Sequence, residues 1–510
     1  MTGLAGAAFA DSIPPLSPGP AASLPNQSAQ TQATGAGAIP ADLSGLLNPV
    51  PFALPQLVGQ PFRADASTPP STAPAPGPLG LSWQGQNLLG DMWGLRPALS
   101  KYGVTLSILE NVETFGNLTG GAKQGFEANG LTTVTLQMDT QKAFGLNGGL
   151  FNVSGLQIWG GELSESNLLN LQTVTGIEDP VGIRLWELWY QQKFGDKLDL
   201  KIGEQSLDQE FFVSQSASYF INTVWGWPML PTADLLVSPE FPVAGLGIRA
   251  RAKVTDAVTL LSGVFNGRPI PKNSPNTPAS NPHGVSFPLN TGVFAIAELQ
   301  FTFPGSGAST KTNGEGPLPG TYKIGAWYDS DSFNDLQDDN QGVPLASPAS
   351  NGMPATHHGN YSIYWVADQM IWRSKDPNRN VNLFVRPMFT TLQGRNLISF
   401  SVDGGLNLHE PLPGRDNDVF GLGFGVARVS NSASGFDRQM QFFQPSVYTP
   451  IRSSETFLEA TYQIQVLPWW QIQPDLQYVI NPGAGIANPN DPTQRIKNEL
   501  VIGLRTNITF

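Results

Sequence analysis

Cysteine is missing from all 510 residues, so disulfides and thiolate chemistry are excluded at the outset. Histidine is nearly as scarce: His283, His357, His358 and His409 are the only four, and none shows metal-ligand spacing with a second pair. Charge is thin as well. Lys, Arg, Asp and Glu make up 13% of the chain, the net charge is −12, and no basic cluster occurs, which argues against a nucleic-acid partner. No uninterrupted run of about 18 apolar residues exists, so helical membrane spans are not expected. A nucleophile elbow, a phosphate loop and a dinucleotide fingerprint are also missing. An acid pair such as Asp208 and Glu210 would satisfy a glycoside hydrolase, but acid pairs arise often by chance. The chain is therefore not expected to be an enzyme, and no cofactor or metal is implied.

What the chain has instead is alternation. Its last stretch reads R-I-K-N-E-L-V-I-G-L-R-T-N-I-T-F from Arg495 to Phe510. Phe510, Ile508, Thr506, Leu504, Ile502, Leu500 and Ile496 fall on one face of an extended chain; Thr509, Asn507, Arg505, Gly503, Glu499, Lys497 and Arg495 fall on the other. Only Asn498 and Val501 break the pattern. As a strand of about 16 residues it is long for a globular sheet and suits a tilted crossing of a bilayer. Ending on an aromatic in that register, it resembles the closing strand of a bacterial outer-membrane barrel, where the terminal aromatic serves as an assembly signal.

At the other end, Ala8-Phe9-Ala10 has the small-x-small pattern of a signal peptidase site, without a positive n-region or a full apolar core. Two readings stay open, a signal peptide (residues 1–10) truncated at its start and a chance match; on the first, the mature chain begins near Asp11. Residues 1–80 hold 15 of the 44 prolines and only four charged residues, Asp11, Asp42, Arg63 and Asp65. Such a composition lacks the periodic apolar residues that offset ordering entropy, so residues 11–87 are expected to be a disordered, Pro-rich spacer. Asn87 to Gly103 predicts a short helix in two pieces, split at Pro97.

From Gly103 onward the alternation hardly stops. About sixteen extended segments are expected: 103–117, 129–143, 149–159, 183–194, 197–205, 245–254, 258–266, 293–303, 321–329, 361–372, 381–391, 397–408, 419–429, 455–466, 470–480 and 495–510. In 245–254, Leu246, Ile248, Ala250, Ala252 and Val254 oppose Arg249, Arg251 and Lys253. In 183–194, Trp186, Leu188, Tyr190 and Phe194 oppose Glu187, Gln191 and Lys193. Aromatic groups gather at segment ends: Trp186, Trp189 and Tyr190; Trp225 and Trp227; Tyr361, Tyr364, Trp365 and Trp372; Trp469 and Trp470. Such clusters are the expected girdles of a barrel wall at the lipid headgroups. Tight turns alternate with long Pro/Asn/Gly-rich loops, of which 267–290 and 329–360 read as the longest. Residues 88–510 thus predict an all-β fold, a transmembrane antiparallel β-barrel of about 16 strands.

Several phrases carry a family likeness: F-N-V-S-G-L-Q-I-W-G (151–160), N-L-L-N-L-Q-T-V-T-G-I-E (167–178), R-L-W-E-L-W-Y-Q-Q (184–192), D-Q-E-F-F-V (208–213), F-I-N-T-V-W-G-W-P (220–228), Y-W-V-A-D-Q-M-I-W-R (364–373) and Y-V-I-N-P-G-A-G (478–485). In this order they resemble the bacterial carbohydrate-selective outer-membrane porins, the glucose-porin family. The resemblance implies a sixteen-stranded barrel in the bacterial outer membrane, narrowed by inward loops with charged and aromatic groups, and passive diffusion of glucose and similar sugars.

Sugar chemistry points to residue types independently. Hydroxyls donate and accept, so a selective constriction wants carboxylates and amides as acceptors, guanidinium groups as donors and an aromatic surface for the ring faces. Candidates are Arg249 and Arg251 on one lumen face, Glu187 and Gln191 on another, and Asp208, Glu210, Trp225 and Trp227 from loops. Arg386 and Asp403 are weaker candidates, each charged residue has the plainer alternative of a wall ion pair, and Trp225 and Trp227 suit pinning a loop as well as touching sugar. The expected partners are small neutral sugars, outer-membrane lipid and the barrel-assembly machinery through the strand ending in Phe510, for a monomer or homo-trimer. The rival readings are a general or anion-selective pore and a soluble sugar-binding β protein.

Overall fold

Alternation gives every strand one apolar and one polar face, and a single closed ring is the arrangement that turns all the apolar faces outward together. The computed structural model, which describes residues 85–303, 317–376 and 378–510, has that ring. The Ala8-Phe9-Ala10 pattern and most of the Pro-rich segment lie outside the described residues.

The barrel opens with β1 (Val104–Thr119), β2 (Gly125–Asp139), β3 (Gly149–Gly160) and β4 (Gly182–Phe194). It continues with β5 (Leu198–Gln205), β6 (Gly245–Lys253), β7 (Val258–Asn266) and β8 (Val293–Phe303). Next come β9 (Gly320–Asp339), β10 (Pro354–Arg373), β11 (Asn380–Phe389) and β12 (Ile398–His409). Then follow β13 (Val419–Val429), β14 (Ser454–Leu467) and β15 (Trp470–Ile480). A small hairpin, β16 (Ala487–Asn488) and β17 (Asp491–Arg495), precedes the closing strand β18 (Glu499–Thr509). Each barrel strand pairs antiparallel with its neighbours, and β18 lies between β15 and β1.

Closure leaves the ring without an edge, so strand pairing runs all the way round the wall, which a hydrocarbon surround requires. The seam carries an added lock. Glu113 sits opposite Arg505 across β1 and β18, and the two form an ion pair buried on the lumen side. Outside, Ile202, Ile248 and Leu504 are each about half exposed, bare apolar side chains on the wall, while Arg249, Arg386, Arg505, Glu459 and Gln477 are buried within. A soluble sandwich would press its apolar rows together. Here they face outward, the distribution of a barrel in lipid.

Connections on one rim are mostly short, as at 195–197, 254–257 and 468–469; those on the other are long, as at 161–181, 206–244 and 267–292. The expectation of a long loop over 329–360 is corrected: β9 and β10 extend to Asp339 and from Pro354, so most of that stretch is a tall hairpin. The longest connection is instead 206–244, which folds inward. The terminal strand is also shorter than its alternation suggested. It has 11 residues, because Arg495 belongs to the β17 hairpin and Ile496 to Asn498 form a link.

The aromatic girdle is corrected: of the expected set Trp365 and Trp372 are exposed on the outer wall, where Trp159, Tyr322 and Tyr478 join them, but Trp186, Trp189, Trp225, Trp227, Tyr364 and Trp469 are buried. Trp186 changes sides through a register shift: Ser154 pairs with Glu187 and Gly155 with Leu185, and Trp186 packs edge-on against Phe241 of the 206–244 loop. Such a bulge reverses the alternation for every residue beyond it.

Before β1 the chain forms one short helix, α1 (Leu95–Ser100), rather than two pieces. Pro97 is tolerated because it falls in the first turn, whose N–H groups have no intrahelical partner. This segment clasps the end of the chain: Leu88 N donates to Thr509 O at 2.8 Å, and the Arg96 guanidinium donates to Gly90 O and to Phe510 O. Arg96→Ala is expected to weaken the clasp by about 1.5–3 kcal/mol, the range for a hydrogen bond that involves a charged group. The check is thermal unfolding in detergent, where the variant melts below the wild type while its folded strand content is unchanged.

Candidate functional site

Three neighbouring strands pair so that their lumen-facing residues form a row, with the tight turn at 195–197 setting the register of the first two. Gln191 on β4 pairs with Lys201 on β5, and Lys201 pairs with Arg249 on β6; Asp199 pairs with Arg251. Glu210, from the 206–244 loop, enters this row. Arg249 grips it in a fork, Nε to Oε2 at 2.5 Å and Nη2 to Oε1 at 2.9 Å. Lys201 and Arg251 bind the same carboxylate, and Asp199 takes the other Arg249 nitrogen. Lys201 also lies 4.3 Å from the centre of the Trp189 ring, a cation–π contact. Burial by itself would raise the Glu210 carboxyl, yet Lys201, Arg249 and Arg251 together hold it well below the usual carboxylate range.

Two loops fill the lumen beside this cluster, the short lumen loop 161–181 and the long lumen loop 206–244. Residues 170–179 and 220–231 are buried throughout. Buried loop backbone needs partners, and the wall supplies carboxylates for it. Glu455 on β14 accepts Leu171 N and Gln172 N from the short loop, each at 2.7 Å. Glu459 on the same strand accepts Ile221 N at 2.6 Å, Asn222 N at 3.1 Å and Trp225 Nε1 at 2.6 Å from the long loop. Asp368 on β10 receives Ser214 and Ser216, and Glu298 on β8 receives Phe212 N. Arg386, paired with Asp403 at 2.7 Å, donates to Phe212 O and Val224 O.

The structure therefore divides the eight predicted site residues. Gln191, Glu210, Arg249 and Arg251 meet in one cluster, and Arg251, with 45% of its side chain exposed, keeps free donor surface toward the lumen. Glu187 and Asp208 are buried at the root of the long loop, where Glu187 accepts Ser206 N and Asp208 accepts the Ser206 hydroxyl. Trp225 and Trp227 pin the loop: Trp225 packs with Phe220, Phe384 and Phe457, and Trp227 meets Phe212 edge-on. Arg386 and Asp403 are loop supports as well. Lys201 and Asp199 were missed as site residues, although counting back from the turn at 195–197 puts Lys201 beside Gln191. Glu455, Glu459 and Asp368 were missed because their partners are loop amides, which leave no side-chain signature.

At the loop root, burial dominates the Asp208 carboxyl, the Ser206 hydroxyl only partly offsets it, nearby Glu187 adds to it, and the group is pushed up to about 7. Glu240 faces it from the returning end of the loop and is likewise raised, first by burial and then by Asp208 and Asp179. The unfolded chain releases this proton near pH 4, so the Asp208 contribution is complete below about pH 4 and is lost as pH rises to about 7. Asp208→Asn cannot titrate there. Calorimetry between about pH 4 and 8 is expected to show wild-type stability falling with pH and a shallower slope in the variant.

The model of the carbohydrate-selective porins, OprB family, matches residues 123–510. Porin B of Pseudomonas aeruginosa is 22% identical over 446 residues, spanning 83% of this chain and 91% of that protein. A putative porin, QuiX, of Acinetobacter baylyi is 25% identical over 430 residues, spanning 80% and 90% respectively. A solved structure of OprB from Pseudomonas putida superposes with a TM-score of 0.72 at 22% identity, covering 84% of this chain and 99% of that one. With the closed sixteen-stranded ring and its inward loops already established, the family match over most of the chain settles its kinship: this is a carbohydrate-selective porin of the OprB family, a channel of the bacterial outer membrane and not an enzyme.

Proposed function

We propose that the pore passes glucose and related small neutral sugars by passive diffusion, with Arg251 and Gln191 meeting sugar hydroxyls beside Glu210. The observation that carries this reading is the internal balance of the cluster. Glu210 is enclosed by Lys201, Arg249 and Arg251, and Asp199 answers Arg249, so the group presents donors without a strong field of one sign. Elsewhere on the inner wall, Glu113, Glu298, Glu455, Glu459 and Asp475 outnumber the buried arginines Arg184, Arg386 and Arg505. That excess favours neutral solutes over the anion-selective alternative. A sugar that exchanges hydrogen bonds with Arg251 and Gln191 breaks no ion pair, so it is held weakly and released, as conduction requires.

On this reading outer-membrane lipid covers the apolar outer face, the assembly machinery reads the strand ending in Phe510, and the working unit is a monomer or homo-trimer. Swelling of proteoliposomes tests the transport claim: glucose is expected to enter faster than amino acids or anions of similar size, with no energy source. Equal rates for all three classes overturn sugar selectivity. Glu210→Gln leaves Lys201, Arg249 and Arg251 underbalanced, and is expected to raise the anion-to-glucose rate ratio by about threefold or more.

A further inference from the structure

The two lumen loops meet at one place. Thr223 N donates to Thr173 O at 3.1 Å, Asn222 Nδ2 donates to Gln172 O at 3.2 Å, and the hydroxyls of Thr173 and Thr223 touch. The wall behind this junction is unlike the rest. Glu455 holds the short loop there, Glu459 holds the long one, and both stand on β14. Gln477 on β15 bridges the loops, accepting from Asn222 Nδ2 at 2.9 Å and donating to Val174 O at 2.7 Å. Glu455 reaches a third segment as well, accepting Gly483 N from the connection ahead of β18 at 2.7 Å.

On the other side of β14, the inward positions of β13 are nearly bare: Gly421, Gly423 and Gly425, then Ala427. A Cβ at Gly423 would lie 2.7 Å from the Trp225 ring, and one at Gly421 2.8 Å from the Phe220 ring. These glycines are the floor on which the long loop lays its aromatic rings. Gly423 pairs with Glu459, so the indole of Trp225 rests over the glycine while its Nε1 donates to the neighbouring carboxylate at 2.6 Å.

We propose that the inner face of β13, β14 and β15 is a dock that sets the size limit of the pore, with Glu459 and Glu455 as its positioning residues. Neither has to touch the solute. Each fixes loop backbone, and the two loops are joined to each other here, so the width left beside them depends on where this junction is held, with Asp368, Glu298 and Arg386 holding the rest of the long loop. Replacing Glu459 by glutamine keeps the shape but leaves a single acceptor oxygen for three donors and turns an amide N–H₂ toward them. Adding a methyl at Gly423 lifts the Trp225 ring without altering any carboxylate. Two chemically unrelated changes are therefore expected to give the same result, a displaced junction and a changed aperture.

The proposal rests on the chain being a pore and not on which solute it prefers, so its test uses no sugar. Full-length wild type, Glu459→Gln and Gly423→Ala are purified in detergent, their barrel content and heat-modified mobility compared, and single channels recorded in planar bilayers with neutral polyethylene glycols of graded size. Both variants are expected to form barrels of wild-type strand content, with conductance raised roughly twofold or more and larger polymers admitted. Glu455→Gln, acting on the short loop, is expected to shift the limit the same way. It provides a second carboxylate variant should Glu459→Gln fail to assemble. Assembled variants with wild-type conductance and polymer limit would overturn the dock, even if their melting temperatures fall. Glucose selectivity lost in the wild type, with the polymer limit still shifting in the variants, would sink the sugar reading and leave the dock standing.

Discussion

Everything in this molecule follows from the requirement that backbone polar groups have partners wherever water is excluded. In the wall that requirement is met by strand pairing, and because a bilayer offers no hydrogen bonds, the pairing has to run full circle. Sixteen strands achieve it, with β18 closing on β1 and the Glu113–Arg505 pair bridging the seam from within. Closure in turn decides the side chains. Leu, Ile and Val take the lipid side, and Gln, Asn, Glu and Arg take the lumen, so a chain with modest overall hydropathy can still be a membrane protein.

The same requirement reappears inside the ring, where strand pairing cannot meet it. The lumen loops have too little regular structure to satisfy their own amides, and their buried stretches run to ten residues or more. Wall carboxylates take over this task. A carboxylate offers about four lone-pair directions and bonds N–H groups more strongly than a neutral carbonyl does. That explains why acids point inward from β10 and β14 without cations beside them: Asp368, Glu455 and Glu459 are acceptors for loop groups, and Glu298 on β8 does the same work while also pairing with Lys323. The ionic cluster around Glu210 is the counter-example, a carboxylate given wholly to cations and placed where the lumen still has exposed donor surface at Arg251.

Much of the wall could be read from the residues, because alternation is a local signal with a fixed period. The spans 258–266, 293–303, 419–429 and 470–480 coincide with β7, β8, β13 and β15, and the inward set Arg249 and Arg251 falls where alternation puts it. Reading fails where a non-local contact overrides the period. The bulge at Trp186 turned a supposed girdle residue inward, and for Trp225 and Trp227, where the residues left sugar platform and loop pin both open, only the packing places them in an aromatic cluster. The 329–360 stretch is rich in Asp, Asn and Ser and reads as loop, yet its ends pair as strand; pairing partners outweigh weak β-propensity. The F-G-L-G-F-G run of β13 held a clue of another kind. Alternating glycine on the lumen face says that something bulky lies against that strand, without saying what.

The division of labour between cluster and dock bears on how such a pore can be selective while binding weakly. A channel that recognised sugar through tightly held groups would gain affinity and lose throughput. On the function proposed above, the groups offered to sugar, Arg251 and Gln191, belong to an ion-paired network, so a sugar would exchange hydrogen bonds with them at little net gain. Discrimination then has to come from fit, and fit is a matter of where the loops stand. Rigid placement of those loops is what buried glutamates, a glycine floor and crossed aromatic rings provide. Large buried investments well away from the solute are consistent with a filter that works by shape first and by chemistry second.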